Sequence, residues 1–319
     1  MRSRSTAGAF VAGIDIGGTK ISAVICDSEG RRIATDAVPA PARVGGEAMA
    51  DAAAALVRRL EHDSGAALHA AGVGAAGVID QSTGTVIAAS ESFNGWAGFP
   101  LGSVLSDTLG LPVAVENDVN AFLHGELRWG AVHNRAHVLG IALGTGVGGA
   151  IALDGRIFAG HRGAAGEIGH TPGYSDIVCT CGRVGHLETL ASGRSIEERY
   201  AERTGAAARL DAVEIARRAR IGDAEARAVY DDAGRAVGLA IATATTLFDL
   251  SDVVIGGGVR GAWDLLSPSL HATLARNEPV SGYPLDIHPS ALGDASVALG
   301  AAALALHEAD ATTGAERTA

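Results

Sequence analysis

One device occurs twice in this chain. Residues 10–16 (FVAGIDI) are apolar and run into Gly17, Gly18 and Thr19, after which residues 21–26 (ISAVIC) are apolar again. Residues 137–143 (HVLGIAL) run into the turn 144–149 (GTGVGG), and the apolar run 150–153 follows. Short apolar runs bounded by glycine read as buried strands, and each pair with its turn reads as a hairpin. Self-similarity of a supersecondary unit signals an internally repeated fold, so two related halves are expected. A third glycine turn, Gly256, Gly257 and Gly258, follows the apolar run 251–255.

Around these turns, strand and helix patterns alternate. Residues 31–38 complete an antiparallel meander, and the alanine-rich stretch 46–61 reads as a helix. Residues 70–79 and 112–116 read as strands, and 103–109 as a helix stopped by Gly110. Asn117 or Asp118 caps a helix that runs to Trp129. Ser195 and Glu198 fit a capping box for a helix over 196–203, ended by Gly205. Further helices are expected over 211–220, 224–248 and 295–307, with a frayed tail from Glu308. No linker separates the halves, so two domains would share a cleft.

Composition narrows the class. The chain has 319 residues, 47% hydrophobic and 19% charged, which is enough for two buried cores. Its net charge of −11 argues against nucleic acid, whose phosphates need clustered Lys and Arg. Arg217, Arg218 and Arg220 read as a solvated helix face. No run approaches the roughly 18–20 apolar residues of a membrane span. The N-terminus lacks a signal-peptide h-region and cleavage site. Three cysteines cannot all pair, so a reducing cytoplasm is expected, with Cys26 a core residue.

Several residues can carry chemistry. Glycine turns let backbone N–H groups wrap an anion, and two of the three carry threonine, which points to a nucleotide phosphate. Neither a GxxxxGK[ST] loop nor a GxGxxG that opens a helix occurs. Asp15, beside the first turn, either holds Mg²⁺ or caps the turn. Asp118 is either part of a helix cap or a general base toward a hydroxyl nucleophile. Residues 167–188 (EIGHTPGYSDIVCTCGRVGHLE) hold His170, Cys179, Cys181 and His186, bracketed by Glu167 and Glu188. Thiolate and imidazole are the usual ligands of tetrahedral zinc, although C-x-C is tighter than the common spacing. The other reading is a surface loop with ordinary cysteines and unrelated histidines.

Taken in order, DIGGTK at 15–20, ENDVNA at 116–121, LGTGVGG at 143–149, GEIGH at 166–170, CTCGRVGHLE at 179–188 and IGGGV at 255–259 resemble the ROK group of sugar kinases and repressors. The resemblance runs from about residue 10 to 305. It implies an α/β, two-domain actin-like and ribonuclease-H-like ATPase fold with an interdomain cleft. The final helix would return to the first domain, giving residues 1–117 with 296–319 as the smaller domain and 118–295 as the larger. Asp15, Gly17, Gly18, Thr19 and Lys20 would approach ATP phosphates and Mg²⁺. Gly144, Thr145 and Gly146 would cradle phosphates, and Gly256, Gly257 and Gly258 would lie by the adenosine. Asp118 would be the base, and Asn117, Glu167, His170 and Glu188 would bind sugar hydroxyls. A structural Zn²⁺ would be held by His170, Cys179, Cys181 and His186.

Repressors of this group carry a DNA-binding domain ahead of the first motif, whereas only 14 residues precede Asp15. The expectation is therefore a kinase that phosphorylates a hexose at its 6-hydroxyl, most simply glucose, with partners limited to sugar, ATP and further copies in a dimer or tetramer. Two departures bear on this. His186 stands where the family has a third cysteine, which leaves a Cys₂His₂ set. Ser92 of SFNGW at 92–96 stands where glucokinases of the group have an asparagine near the sugar. An N-acetylmannosamine or N-acetylglucosamine kinase is the alternative substrate reading, and a sugar-sensing regulator without its DNA-binding domain the alternative class.

Overall fold

In the computed structural model, which describes residues 10–90, 92–205 and 209–316, the opening device is the expected hairpin. Strands β1 (Phe10–Ile16) and β2 (Lys20–Cys26) pair antiparallel, with Asp15 opposite Ser22. β3 (Arg32–Pro39) adds to β2, and α1 (Gly46–Ser64) follows. β4 (Leu68–Ala75) then returns parallel to β1. The expected strand 70–79 is broken after Ala75. Gly77 adopts φ 112°, and the chain turns into a separate hairpin of β5 (Val78–Asp80) and β6 (Thr85–Ala88). After α2 (Leu101–Leu109), β7 (Val113–Asn117) joins β4 in parallel and leads into α3 (Asp118–Trp129).

The second device builds a second sheet. β8 (Val138–Leu143) and β9 (Val147–Leu153) form the hairpin, and β10 (Arg156–Ile157) adds to β9. Helices α4 (Glu188–Ala191), α5 (Gly193–Thr204), α6 (Ala212–Arg220) and α7 (Ala224–Phe248) follow. β11 (Asp252–Gly256) pairs parallel with β8. Then come α8 (Trp263–Leu274), β12 (Asp286–Pro289) parallel to β11, and α9 (Ser296–Glu316). The sheet orders are β3-β2-β1-β4-β7 and β10-β9-β8-β11-β12. Position by position they are the same arrangement, which is the internal repeat expected from the two hairpins.

The chain divides into two units. One comprises Met1–Asn134, Ala159–Ala164 and Asp294–Ala319, and the other Arg135–Phe158 and Ala165–Gly293. Residues 118–134, placed in the second domain by the sequence reading, go with the first because α3 packs along α9. Two other expectations are corrected, and two elements were not expected at all. The N-cap of α5 is Ser192, whose side chain accepts from the Ser195 amide, so the capping box at Ser195 does not form. Helix α8, interrupted in sequence by Pro268, and the short edge strand β12 carried no readable pattern. Helix α9 runs past His307 to Glu316.

Within the first unit, α9 is buried on nearly all sides from Ala298 to Leu306. It lies against β1, β4 and α3 at backbone distance. A Cβ on Gly13 or Gly72 would collide with the carbonyl oxygens of Ala298 and Ala301, and one on Gly300 with that of Ala121. Overpacking of this kind cannot be relieved by rotating a side chain. Gly300→Ala is therefore expected to lower unfolding stability by about 2–3 kcal/mol or more. Gly98→Ala, at a left-handed turn with open space around it, should cost only about 1 kcal/mol. Urea unfolding of the two variants beside the parent checks the difference.

Candidate active site

In each unit the candidate residues collect at the carboxyl ends of the parallel strands, where ligands of open α/β sheets are bound. In the first unit, β1 leads into Gly17, Gly18 and Thr19, and β7 into Asn117 and Asp118. In the second, β8 leads into Gly144, Thr145 and Gly146, and β11 ends at Gly256 before Gly257 and Gly258.

The first turn is closed by the Gly17 amide donating to the Lys20 carbonyl at 3.1 Å. Gly18 packs under Phe93, whose ring would lie 3.1 Å from an added Cβ. Asp15 is half-buried, and its Oδ2 accepts from the Ser22 hydroxyl at 3.3 Å. Burial raises its carboxyl from 3.8 to about 6, against the opposing effects of Lys20 and Ser22.

At the β7–α3 junction the two cap readings separate. Asn117 is the cap, its Oδ1 accepting from the amides of Val119 at 2.9 Å and Asn120 at 3.2 Å. Its Nδ2 donates to the Gly77 carbonyl at 2.9 Å, so the amide is engaged at both ends within the fold. Asp118 is the first helical residue, with Oδ1 accepting from the Val119 amide at 2.9 Å. Beneath them lies a carboxylate that sequence reasoning passed over. Glu116 is buried and accepts from the Asn117 amide at 2.8 Å, from Asn120 Nδ2 at 3.0 Å and from Gln81 Nε2. Burial raises its carboxyl, against the pull of those donors. Its alternation-breaking place in the apolar run PVAVE was the available signal.

In the second unit the two glycine turns meet. Gly257 has φ 86°, and a Cβ there would strike the backbone of Leu143 at the end of β8. Only glycine satisfies both conditions. The turn 144–149 is closed by the Gly144 amide donating to the Gly146 carbonyl at 2.9 Å. Among the described residues, the amides of Thr145 and Gly146 make no hydrogen bond, which suits an anion.

The loop 167–188 brings its four candidate ligands together. A small hairpin, with Val178 bridged to Val184 and the Cys179 amide donating to the Arg183 carbonyl at 2.7 Å, presents both cysteines. His170 Nδ1 lies 3.3 Å from His186 Nδ1 and 3.9 Å from Cys179 Sγ, and Cys181 Sγ lies 3.3 Å from His186 Nδ1. All four ligand atoms fall within 4.8 Å of one another. Bonds of about 2.0–2.3 Å to a tetrahedral cation would set ligand atoms about 3.3–3.8 Å apart, so the set fits such an ion. Burial lowers the proton affinity of His186, which favours the neutral imidazole a metal needs. Burial likewise raises the Cys179 thiol. The Glu188 carboxylate accepts from Thr180 Oγ1 at 2.9 Å and from the Val147 amide at 3.0 Å. Glu167 is exposed at the start of the turn Ile168–His170.

The model of the ROK family matches residues 11–308. A glucokinase from Streptomyces coelicolor is 33% identical over 317 residues, covering 92% of this chain and 96% of that protein. An N-acetylmannosamine kinase from Escherichia fergusonii is 33% identical over 297 residues, covering 92% and 98%. Among solved structures, a ROK family glucokinase from Streptomyces griseus in complex with glucose and AMPPNP superposes with a TM-score of 0.83. It is 32% identical and covers 94% of this chain and 100% of that one.

The raised Asp15 carboxyl gives a signed expectation. Its protonated form is favoured in the fold, so its contribution to stability is lost as pH rises from 3.8 through about 6. Asp15→Asn should therefore stabilise the protein by roughly 2–3 kcal/mol at pH 7 and leave stability near pH 3.5 little changed. Urea unfolding at the two pH values checks both sign and window.

Proposed function

The chain belongs to the ROK family, and from that premise we infer that it is an ATP-dependent sugar kinase acting on the 6-hydroxyl of a hexose, glucose first. Its two α/β units have the actin-like, ribonuclease-H-like ATPase fold. The observation that carries the reading is the placement of every glycine turn and of Asp118 at the carboxyl ends of parallel strands. The likeness over 92% of the chain to a glucokinase supports it.

Asp118, fixed at the first turn of α3 by the Asn117 cap, takes the proton of the sugar 6-hydroxyl. That oxygen forms the new bond to the γ-phosphorus as the bond to the β-phosphate oxygen breaks and ADP leaves. Gly17, Gly18, Thr19 and Lys20, and likewise Gly144, Thr145 and Gly146, would serve as phosphate donors, with 256–258 beside the adenosine. Asp15 would hold Mg²⁺ directly or through water, and that ion would neutralise charge on the phosphates. Glu167, His170 and Glu188 serve as ligands of the other sugar hydroxyls, with Asn117 presenting its neighbour Asp118. Zinc is the cation for His170, Cys179, Cys181 and His186, all four of which suit it, and it would supply only rigidity. His170, its Nδ1 turned to that set, keeps Nε2 for substrate.

A second substrate reading, an N-acetylhexosamine kinase, is favoured by Ser92 in place of the family's asparagine and by the 33% identity to an N-acetylmannosamine kinase. A coupled ADP-release assay over glucose, mannose, fructose, N-acetylglucosamine and N-acetylmannosamine decides between them. Absence of turnover on every sugar would refute the kinase.

Asp118→Asn should lower kcat roughly 10²–10⁴-fold with little change in sugar KM, and near-normal turnover would remove Asp118 from the base role. Elemental analysis of the purified protein should give one zinc per chain. A His186→Cys variant should retain that zinc, whereas His186→Ala should release most of it.

A further inference from the structure

Glu188 is placed as a strut and not only as a side chain facing substrate. One carboxylate oxygen, Oε2, accepts at 3.0 Å from the amide of Val147, the first residue of β9 and the last step of the glycine turn. The other, Oε1, accepts from the Thr180 hydroxyl at 2.9 Å and lies 3.7 Å from Cys179 Sγ, in the loop of the candidate metal ligands. Thr180 is the residue between the two cysteines. A single carboxylate therefore ties the metal loop to the glycine turn.

The surroundings fix this carboxylate from behind. The Glu188 carbonyl accepts from Ser195 Oγ at 2.7 Å and from the Ser192 amide at 3.3 Å, which locks the backbone at the start of α4. Five residues on, the Gly193 amide donates to the Gly144 carbonyl at 2.8 Å, a second tie from the α4–α5 segment to the same turn. A Cβ added at Gly146 would stand 2.5 Å from Glu188 Oε2, so a side chain there would displace that carboxylate. The shape of the turn 144–149 is thus set by contacts from residues 188 and 193, and the reach of residue 188 is set by Thr180.

We propose that Glu188 is a positioning residue for the turn 144–149, held in register through Thr180 by the metal loop, so that cation loading of the loop governs nucleotide affinity. The nucleotide half of this statement rests on the kinase reading, in which that turn meets ATP phosphates. The mechanical half rests on contacts within one unit. A carboxylate accepting from a turn amide at one oxygen and from the loop hydroxyl at the other transmits the order of the loop to the turn. Loss of the hydroxyl leaves Oε1 only the long contact to Cys179 Sγ and loosens the hold of the carboxylate on the Val147 amide.

The test uses Thr180→Val, which removes the hydroxyl at nearly constant shape, and Thr180→Ser, which keeps it. Hydrogen exchange of the Val147 amide and AMPPNP affinity by calorimetry are read on the full chain, with zinc content measured alongside. Thr180→Val should speed Val147 exchange about tenfold and weaken AMPPNP binding about 3–10-fold with zinc retained, and Thr180→Ser should restore both. Stripping the parent protein with a chelator should reproduce the faster exchange, which keeps the test valid if Thr180→Val loses metal. Parent-like Val147 exchange in both Thr180→Val and the stripped protein would overturn the proposal. Failure of the parent protein to bind AMPPNP would sink the kinase reading instead, and the exchange measurement would still decide the role of Glu188.

Discussion

The backbone-to-backbone approach of α9 is the constraint on which the first unit depends. Gly13 on β1, Gly72 on β4, and Gly125 with Gly300 at the α3–α9 crossing each sit where a Cβ would strike main-chain atoms. Such contacts fix a helix to a sheet more tightly than interdigitating side chains, because nothing can change rotamer to relieve a misfit. The consequence is topological. The chain leaves this unit after α3, builds a whole second sheet, and must return for its last helix to cover β1 and β4. Those are the strands whose neighbours and ends supply Asp15, the first glycine turn and the Asn117–Asp118 corner.

The repeated sheet order then explains where the chemistry lies. In both units an antiparallel three-strand meander forms one side of the sheet, and two further strands run parallel to its first member. Parallel strands all end on one side, so each turn that follows them is delivered to the same edge without further design. In the second unit this brings Gly257 onto the end of β8, where only a residue without Cβ and with positive φ fits. Fold and site are therefore set by the same glycines in that unit.

What was legible in the sequence follows from that physics. Both hairpins, the three glycine turns, the long helix α7 and the Asn117 cap were readable because each rests on contacts local in sequence. Helix α8 was not, since Pro268 interrupts its pattern, and neither was β12, a four-residue edge strand. At the break beside Gly77 the Ala76 carbonyl accepts from Trp96 Nε1, a partner twenty residues away that no local pattern encodes. The boundary after residue 117 was an expectation from the resemblance, whereas the packing of α3 on α9 puts residues 118–134 with the first unit. In the site, residue types suggested a cation for His170, Cys179, Cys181 and His186, whereas the base role of Asp118 rested on the family resemblance. The Glu116 network and the reach of Glu188 to Val147 depend on partners 35 and 41 residues distant, which no local pattern encodes.

The substitution at position 186 gains meaning from this geometry. Two thiolates and two neutral imidazoles around a divalent cation carry no net charge, whereas a third thiolate would leave the set negative. Glu188 Oε1 stands 3.7 Å from Cys179 Sγ, and at that separation a net negative set would repel the carboxylate that reaches to the Val147 amide. With histidine at 186, a cation-loaded set would carry one negative charge fewer near that carboxylate. His186 is almost wholly buried, at 3% exposure, and burial lowers the proton affinity of its imidazole. A cation held by the four candidate ligands would stand beside the Glu188 carboxylate, so the residue type at 186 would bear on the reach of Glu188 to the Val147 amide.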